Sequence, residues 1–306
     1  VEEPPPPPPP PAPPASPEVT EFITVQGDKI MEGNKEFRSW SVNIVGYALT
    51  HTPEDKVIRC LDHLKDIGCR MIRFLHLDGE IGADRSWPTW FDNSSTFVYS
   101  EPILKKLDFW VAECGKRGIR IWLTFQHRRI MWPTDGPETP FGTIAIWDQL
   151  FSPRPGGIFQ GEINDLVFLD DALERMLIGH ANYLMSRVNT RNGKLWKDDP
   201  TIAICTNLNE KSGGRLAKGY WPGDPSPGST YKTAWFQKWN AFNAGKNLKG
   251  TKQQLNWFFA DLDYNFHKRV IAAHKANGMK CLFNTSATFG DSGMYTLPGQ
   301  FAGDVM

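Results

Sequence analysis

Residues 201–210, Thr-Ile-Ala-Ile-Cys-Thr-Asn-Leu-Asn-Glu, follow an Asp198-Asp199-Pro200 stop and end on Asn209-Glu210. The loop Lys211-Ser212-Gly213-Gly214 comes next. A short apolar, β-branched run bounded by turn signals predicts a buried parallel strand. In a repeating strand–helix chain, a carboxylate at the C-terminal end of such a strand lies on the face where barrel active sites are built. Glu210 is therefore the first candidate for a catalytic role.

Working outward, the same alternation recurs. A strand at Ser41–Ala48 precedes a helix at Glu54–Ile67, whose Val57, Ile58, Leu61, Leu64 and Ile67 fall on one stripe. Thr52-Pro53 starts that helix and Gly68 ends it. A strand at Arg70–Leu77, a helix at Pro102–Arg117 and a strand at Ile119–Gln126 follow. Next come a helix at Asp170–Val188, the strand at Thr201–Leu208, a helix at Leu255–Ala276 and a fifth strand at Cys281–Ser286. Helix-to-strand turns are short (IGCR, RGIR, NGMK), and the long loops all follow strands. That asymmetry predicts an α/β fold of the (βα)8 TIM-barrel type, with about the first five to six βα units in this chain. No GxGxxG or GxxxxGK[ST] follows the first strand, which removes the dinucleotide and P-loop versions of α/β.

Upstream, residues 1–21 read as a proline-rich linker, extended and semi-rigid, and residues 22–306 as the barrel domain, opened by a small hairpin cap. Such spacers suit a secreted or cell-surface protein. Lys plus Arg and Asp plus Glu are both 34. This balance argues against nucleic acid or an anionic membrane as partner. No apolar run approaches the roughly 18 residues that span a bilayer. The five cysteines, Cys60, Cys69, Cys114, Cys205 and Cys281, form no CxxC pair. They read as buried thiols, or as one bridge with three thiols left over. Oligomeric state is not legible.

The segments SVNIVGYA, RMIRFLHLD, LKKLDFWVAECGKRGIRIWLTFQH and VNTRNGKLWKDDPTIAICTNLNE together resemble clan A glycoside hydrolases, close to family 5 (cellulases, mannanases and relatives). The likeness covers about residues 22 to 306, and the Asn-Glu ending of the fourth strand is its most specific part. It implies a retaining β-glycosidase with Glu210 as acid/base, and Asn209 on the sugar 2-hydroxyl. It also implies Arg73 beneath the nucleophile, and His127 and His76 along the subsite floor. The matching nucleophile is expected after a seventh strand, beyond Met306. Retention needs two carboxyls about 5 Å apart, one of them kept protonated near neutral pH.

Trp87, Trp90, Trp132, Trp147 and Trp221 fall in strand-to-helix loops, where an aromatic face can stack on a sugar ring. Trp132 and Trp221 are the candidate platforms. Each residue also has a plain structural reading. Glu210 can be a helix cap or a solvated loop carboxylate, Arg73 part of an ion pair in the barrel bottom, and the histidines satisfied structural groups. No cofactor is expected. A zinc set from His76, Asp78 and His127 fits by ligand type, but no i, i+4 histidine pair supports it. The expected partner is a polysaccharide or oligosaccharide of β-glucan or β-mannan type. The alternative is a non-catalytic carbohydrate-binding protein on a degenerate or incomplete barrel. A barrel enzyme using Glu210 for proton abstraction is the third reading.

Overall fold

The computed structural model describes residues 18–79, 89–92, 95–127, 129–151, 163–209 and 230–285. Strands β1 (Thr24–Gln26), β2 (Lys29–Glu32) and β3 (Lys35–Glu36) form a small antiparallel sheet. Strands β4 (Ser41–Val45) and β5 (Met71–Leu75) then enter the main sheet. The loop after β5 carries the hairpin β6 (Phe91–Asp92) and β7 (Ser95–Tyr99). Strand β8 (Arg120–Gln126) is followed by a two-residue pair, β9 (Glu138–Thr139) and β10 (Gly142–Thr143). Strands β11 (Ile202–Leu208) and β12 (Leu282–Asn284) complete the main sheet.

That sheet has five strands in the order β12-β11-β8-β5-β4, and all its pairings are parallel. Helices Glu54–Asp66, Glu101–Lys116, Asp171–Met185 and Lys252–Ala276 connect them in turn. These are five successive strands of a (βα)8 barrel, as the strand–helix alternation predicts. Chain order equals spatial order because each crossover helix returns the chain to the start of the next strand.

The two faces of the sheet differ as barrel geometry requires. Ile72, Phe74, Ile121, Leu123 and Cys205 belong to the large core between sheet and helices. Met71, Ala203 and Ile204 form a second, smaller core with Ile23 and Phe37 from the N-terminal sheet. A β-bulge between Ile202 and Ile204 puts both Ala203 and Ile204 on that inner side. Arg120 is buried beneath the cap. It donates to the carbonyls of Glu21 (2.8 Å) and Pro200 (3.0 Å) and to the Glu32 carboxylate (2.6 Å). Arg70 takes the other Glu32 oxygen at 2.5 Å. Burial pushes the Glu32 carboxyl up, but Arg70 and Arg120 outweigh it and hold it below its ordinary value.

The approach to β11 is fixed by one buried carboxylate. Asp108 accepts from Arg187 (2.8 Å), Trp196 Nε1 (2.9 Å) and the Thr190 hydroxyl (2.9 Å). Thr201 N then donates to Asp199 at 2.9 Å, where the strand begins.

Several sequence expectations change. The first strand stops at Val45, and Gly46–His51 is a short helix instead of further strand. Ile67, expected on the apolar stripe, is half exposed, and Cys60 is exposed rather than buried. Helix Thr230–Asn243 lies in what reads as loop. The two long loops contain hairpins. Among the described residues no helix is long and apolar enough to cross a membrane.

Candidate active site

At the C-terminal ends of β5, β8 and β11 the structure joins three of the sequence-predicted residues. Arg73 projects from β5 on the inner face, with its guanidinium carbon 4.4 Å from the centre of the Trp122 ring. It donates to Asn209 Oδ1 at 2.8 Å and, longer, to Thr124 Oγ1 at 3.4 Å. Asn209 Nδ2 lies 2.7 Å from His127 Nδ1, and Asn209 is itself anchored by its backbone N–H to the Gln126 carbonyl at 2.9 Å.

The direction of these bonds follows from chemistry. Arginine only donates, so the Asn209 oxygen must face Arg73 and its NH2 must face His127. The NH2 can only donate, so His127 Nδ1 accepts and the ring is neutral with its proton on Nε2. One N–H of the Asn209 amide goes to His127, and among the described residues the other has no acceptor assigned to it.

His127 is held from behind as well. Its backbone N–H donates to the buried Asp78 carboxylate at 2.6 Å. The His76 and His127 rings meet with centres 3.7 Å apart and planes tilted by 57°. His76 has φ 58°, in the left-handed region that favours glycine. Its carbonyl faces Gly46 so closely that a Cβ there would lie 2.0 Å from the oxygen. Only glycine fits.

Further contacts tie the loops after β5 and β8 together. Buried Arg129 donates to Thr96 Oγ1 (2.9 Å), Thr96 O (3.0 Å) and Met176 O (3.3 Å), and lies over the Phe91 ring. Tyr99 donates its hydroxyl to His180 Nδ1 at 2.8 Å, while His180 Nε2 donates to the Phe125 carbonyl at 3.2 Å. Burial and the Arg129 charge hold His180 well below the usual histidine range, and burial pushes Tyr99 up to about 12. Neither group changes charge near neutral pH.

Trp132 precedes a tight 3-10 turn at Pro133–Asp135, and its N–H donates to Asp135 Oδ2 at 2.8 Å. Trp90 is fully buried and edges onto His180 (4.8 Å between ring centres), so it is core and not a sugar platform. Trp147 packs on Phe151. Glu210, Trp221 and Trp87 lie outside the described residues. Among the described residues no group of three or more His, Cys, Asp or Glu could hold a metal ion.

No family model matches the chain. Over 113 residues it is 29% identical to a rice (Oryza sativa subsp. japonica) protein named as a mannan endo-1,4-beta-mannosidase, covering 37% of this chain and 20% of that one. The figures for mannan endo-1,4-beta-mannosidase 1 of Solanum lycopersicum are 27%, with 37% and 25% covered. The match thus spans a quarter or less of these curated relatives. In structure, the chain is similar to a glycoside hydrolase family 5 mannosidase from Rhizomucor miehei crystallised with mannosyl-fructose. The TM-score is 0.51 at 12% identity, covering 87% of this chain and 55% of that one. The shared fold is the (βα)8 barrel.

Of the residues the sequence singles out, Arg73, His127 and Asn209 come together, and His76 reaches them through His127. Sequence reasoning missed Trp122 as the seat of Arg73, Asp78 as the anchor of the His127 backbone, and Gly46 as the contact for His76. The inward phase of β8, read from alternate positions Arg120, Trp122 and Thr124, is the signal that would have found Trp122.

Proposed function

We propose that this chain belongs to a retaining glycoside hydrolase acting on β-1,4-linked mannan, with Glu210 as the acid/base. The observation that carries this reading is the Arg73–Asn209–His127 relay at the C-terminal ends of three parallel strands. One peptide bond separates Asn209 from Glu210. The mannanase names of the two curated relatives support mannan over glucan. In this reading the free N–H of Asn209 meets the sugar 2-hydroxyl, a contact that tightens as the anomeric centre gains charge. Arg73 orients that amide and, beneath the nucleophile, holds the nucleophile's negative charge. Glu210 protonates the departing oxygen, then takes a proton from water in the second half-reaction. A polymeric substrate found outside cells, together with the proline-rich linker, favours a secreted or cell-surface location.

The test uses the protein expressed from its complete gene. Reducing ends should appear from β-1,4-mannan, and Glu210→Gln should lower kcat by at least ~10³-fold with mannan still bound. Turnover equal in wild type and E210Q would sink the assignment. Mannan binding without turnover in either protein would favour the non-catalytic carbohydrate-binding reading.

A further inference from the structure

Cys205 and Cys281 meet on neighbouring strands of the main sheet, away from the inner face that carries Arg73. Cys205 is in β11 and Cys281 lies immediately before β12. Both are buried in the core between sheet and helices. The Cys281 thiol donates to Cys205 Sγ across 3.2 Å. Ile204 pairs with Leu282 and Cys205 with Phe283, so the two cysteines reach each other diagonally across one strand spacing. Cys69 and Cys60 do not repeat this. Cys69 gives its thiol hydrogen to the Met71 and Trp40 carbonyls, and Cys60 is exposed.

We infer that Cys205 and Cys281 are a disulfide site, closed when the chain folds in an oxidising medium. Bond formation needs the sulfurs about 2.05 Å apart, so they must approach by roughly 1.1 Å from the present contact. One such pair leaves three of the five cysteines as thiols. The oxidant class is a small-molecule disulfide such as glutathione disulfide. One cysteine thiolate attacks it to give a mixed disulfide and a glutathione thiolate. The second cysteine thiolate then attacks the protein sulfur of that mixed disulfide and expels the second glutathione. Two electrons pass to glutathione, the two thiol protons end on its sulfurs, and one Sγ–Sγ bond forms.

Timing follows from burial. In the folded chain no glutathione reaches the pair, and burial together with the neighbouring Cys281 pushes the Cys205 thiol well above its ordinary value. The bridge therefore closes before β12 settles on β11, or it does not close at all. Its presence records the redox state of the compartment where folding took place. Once formed, it staples the strand that leads to Asn209 to the next strand of the barrel. The inference rests on the fold alone, not on the proposed activity.

The experiment refolds the full-length protein from the reduced, denatured state with and without a mixture of reduced and oxidised glutathione, then digests it without reduction. With glutathione, mass spectrometry should find the Cys205 and Cys281 peptides linked and two hydrogens lighter than their sum. Oxidised protein should melt several degrees above reduced protein. Cys205→Ala and Cys281→Ala should each remove that oxidised-minus-reduced difference, whatever either substitution does to the absolute Tm. Native reduced protein held in glutathione disulfide should keep both thiols. Full alkylation of both cysteines after oxidative refolding, or linkage of either to another cysteine, overturns the site. Rapid oxidation of the native protein overturns the folding-gated timing.

Discussion

Arg120 and Arg73 stand on adjacent parallel strands, on the same face of one sheet, at heights two residues apart: Met71 pairs with Arg120, and Arg73 with Trp122. Arg120 is 1% exposed and is closed in by the Glu32 carboxylate and two backbone carbonyls. Arg73 is half-buried over an indole and directs hydrogen bonds to an amide and a hydroxyl. At the bottom of the barrel the charge is neutralised by the N-terminal cap, and the result is a seal. Toward the mouth, the charge sets the direction of a chain of neutral groups, Asn209 then His127, and the result is a prearranged amide donor. The same residue type serves stability at one end and orientation at the other.

Substitutions should separate the two roles. The largest loss of stability is expected from Arg120→Ala, about 3 kcal/mol by chemical denaturation, because it strips a buried cation from Glu32 and opens the cap. A loss under about 1 kcal/mol would mean the cap does not depend on the ion pair. Acid should act next. Burial holds His267 and His274 down at about 4, against 6.5 for the free side chain. Below about pH 6.5 the unfolded chain takes up these protons and the folded chain does not, so stability is full above that pH. It falls by roughly 3 kcal/mol per histidine as pH drops toward 4. A denaturation midpoint flat from pH 7 to 4.5 would refute it, and a His267→Gln, His274→Gln double variant should reduce the slope, leaving the share of buried His180.

At the mouth the expectation reverses. Asn209→Ala should cost ~10²-fold in kcat/KM on mannan while lowering Tm less than Arg120→Ala does. A larger Tm loss with intact turnover would make Asn209 a structural residue. Trp122→Phe should be mildest, about 1 kcal/mol, since it keeps a ring under Arg73 and loses the 2.6 Å bond from Trp122 Nε1 to Thr206.

The sequence made the barrel strands legible because buried parallel strands are continuous apolar runs, and Ile202–Leu208 is buried throughout. The same logic hid Gly46–His51, where an apolar run continues through a change from strand to helix. Helix Thr230–Asn243 does carry a stripe, Trp235, Trp239 and Phe242, which packs on Phe258. Its flanking glycines, prolines and lysines disguise it as loop. At the site, Arg73, His127 and Asn209 were readable because each ends or lines a strand. The left-handed backbone of His76 and the bond from His127 N to Asp78 were not, because both depend on how separate loops meet in space.

The approach of Gly46 to the His76 carbonyl has a consequence for the alphabet available to this protein. In a saturation library screened for folded, active protein, position 46 should return a single letter, while the exposed neighbour Tyr47 tolerates many. A loop insertion near His76 that altered its backbone would lift that restriction. Diversity at residue 46 among future relatives would then report, without any structure, that the pairing of the two histidine rings had been abandoned.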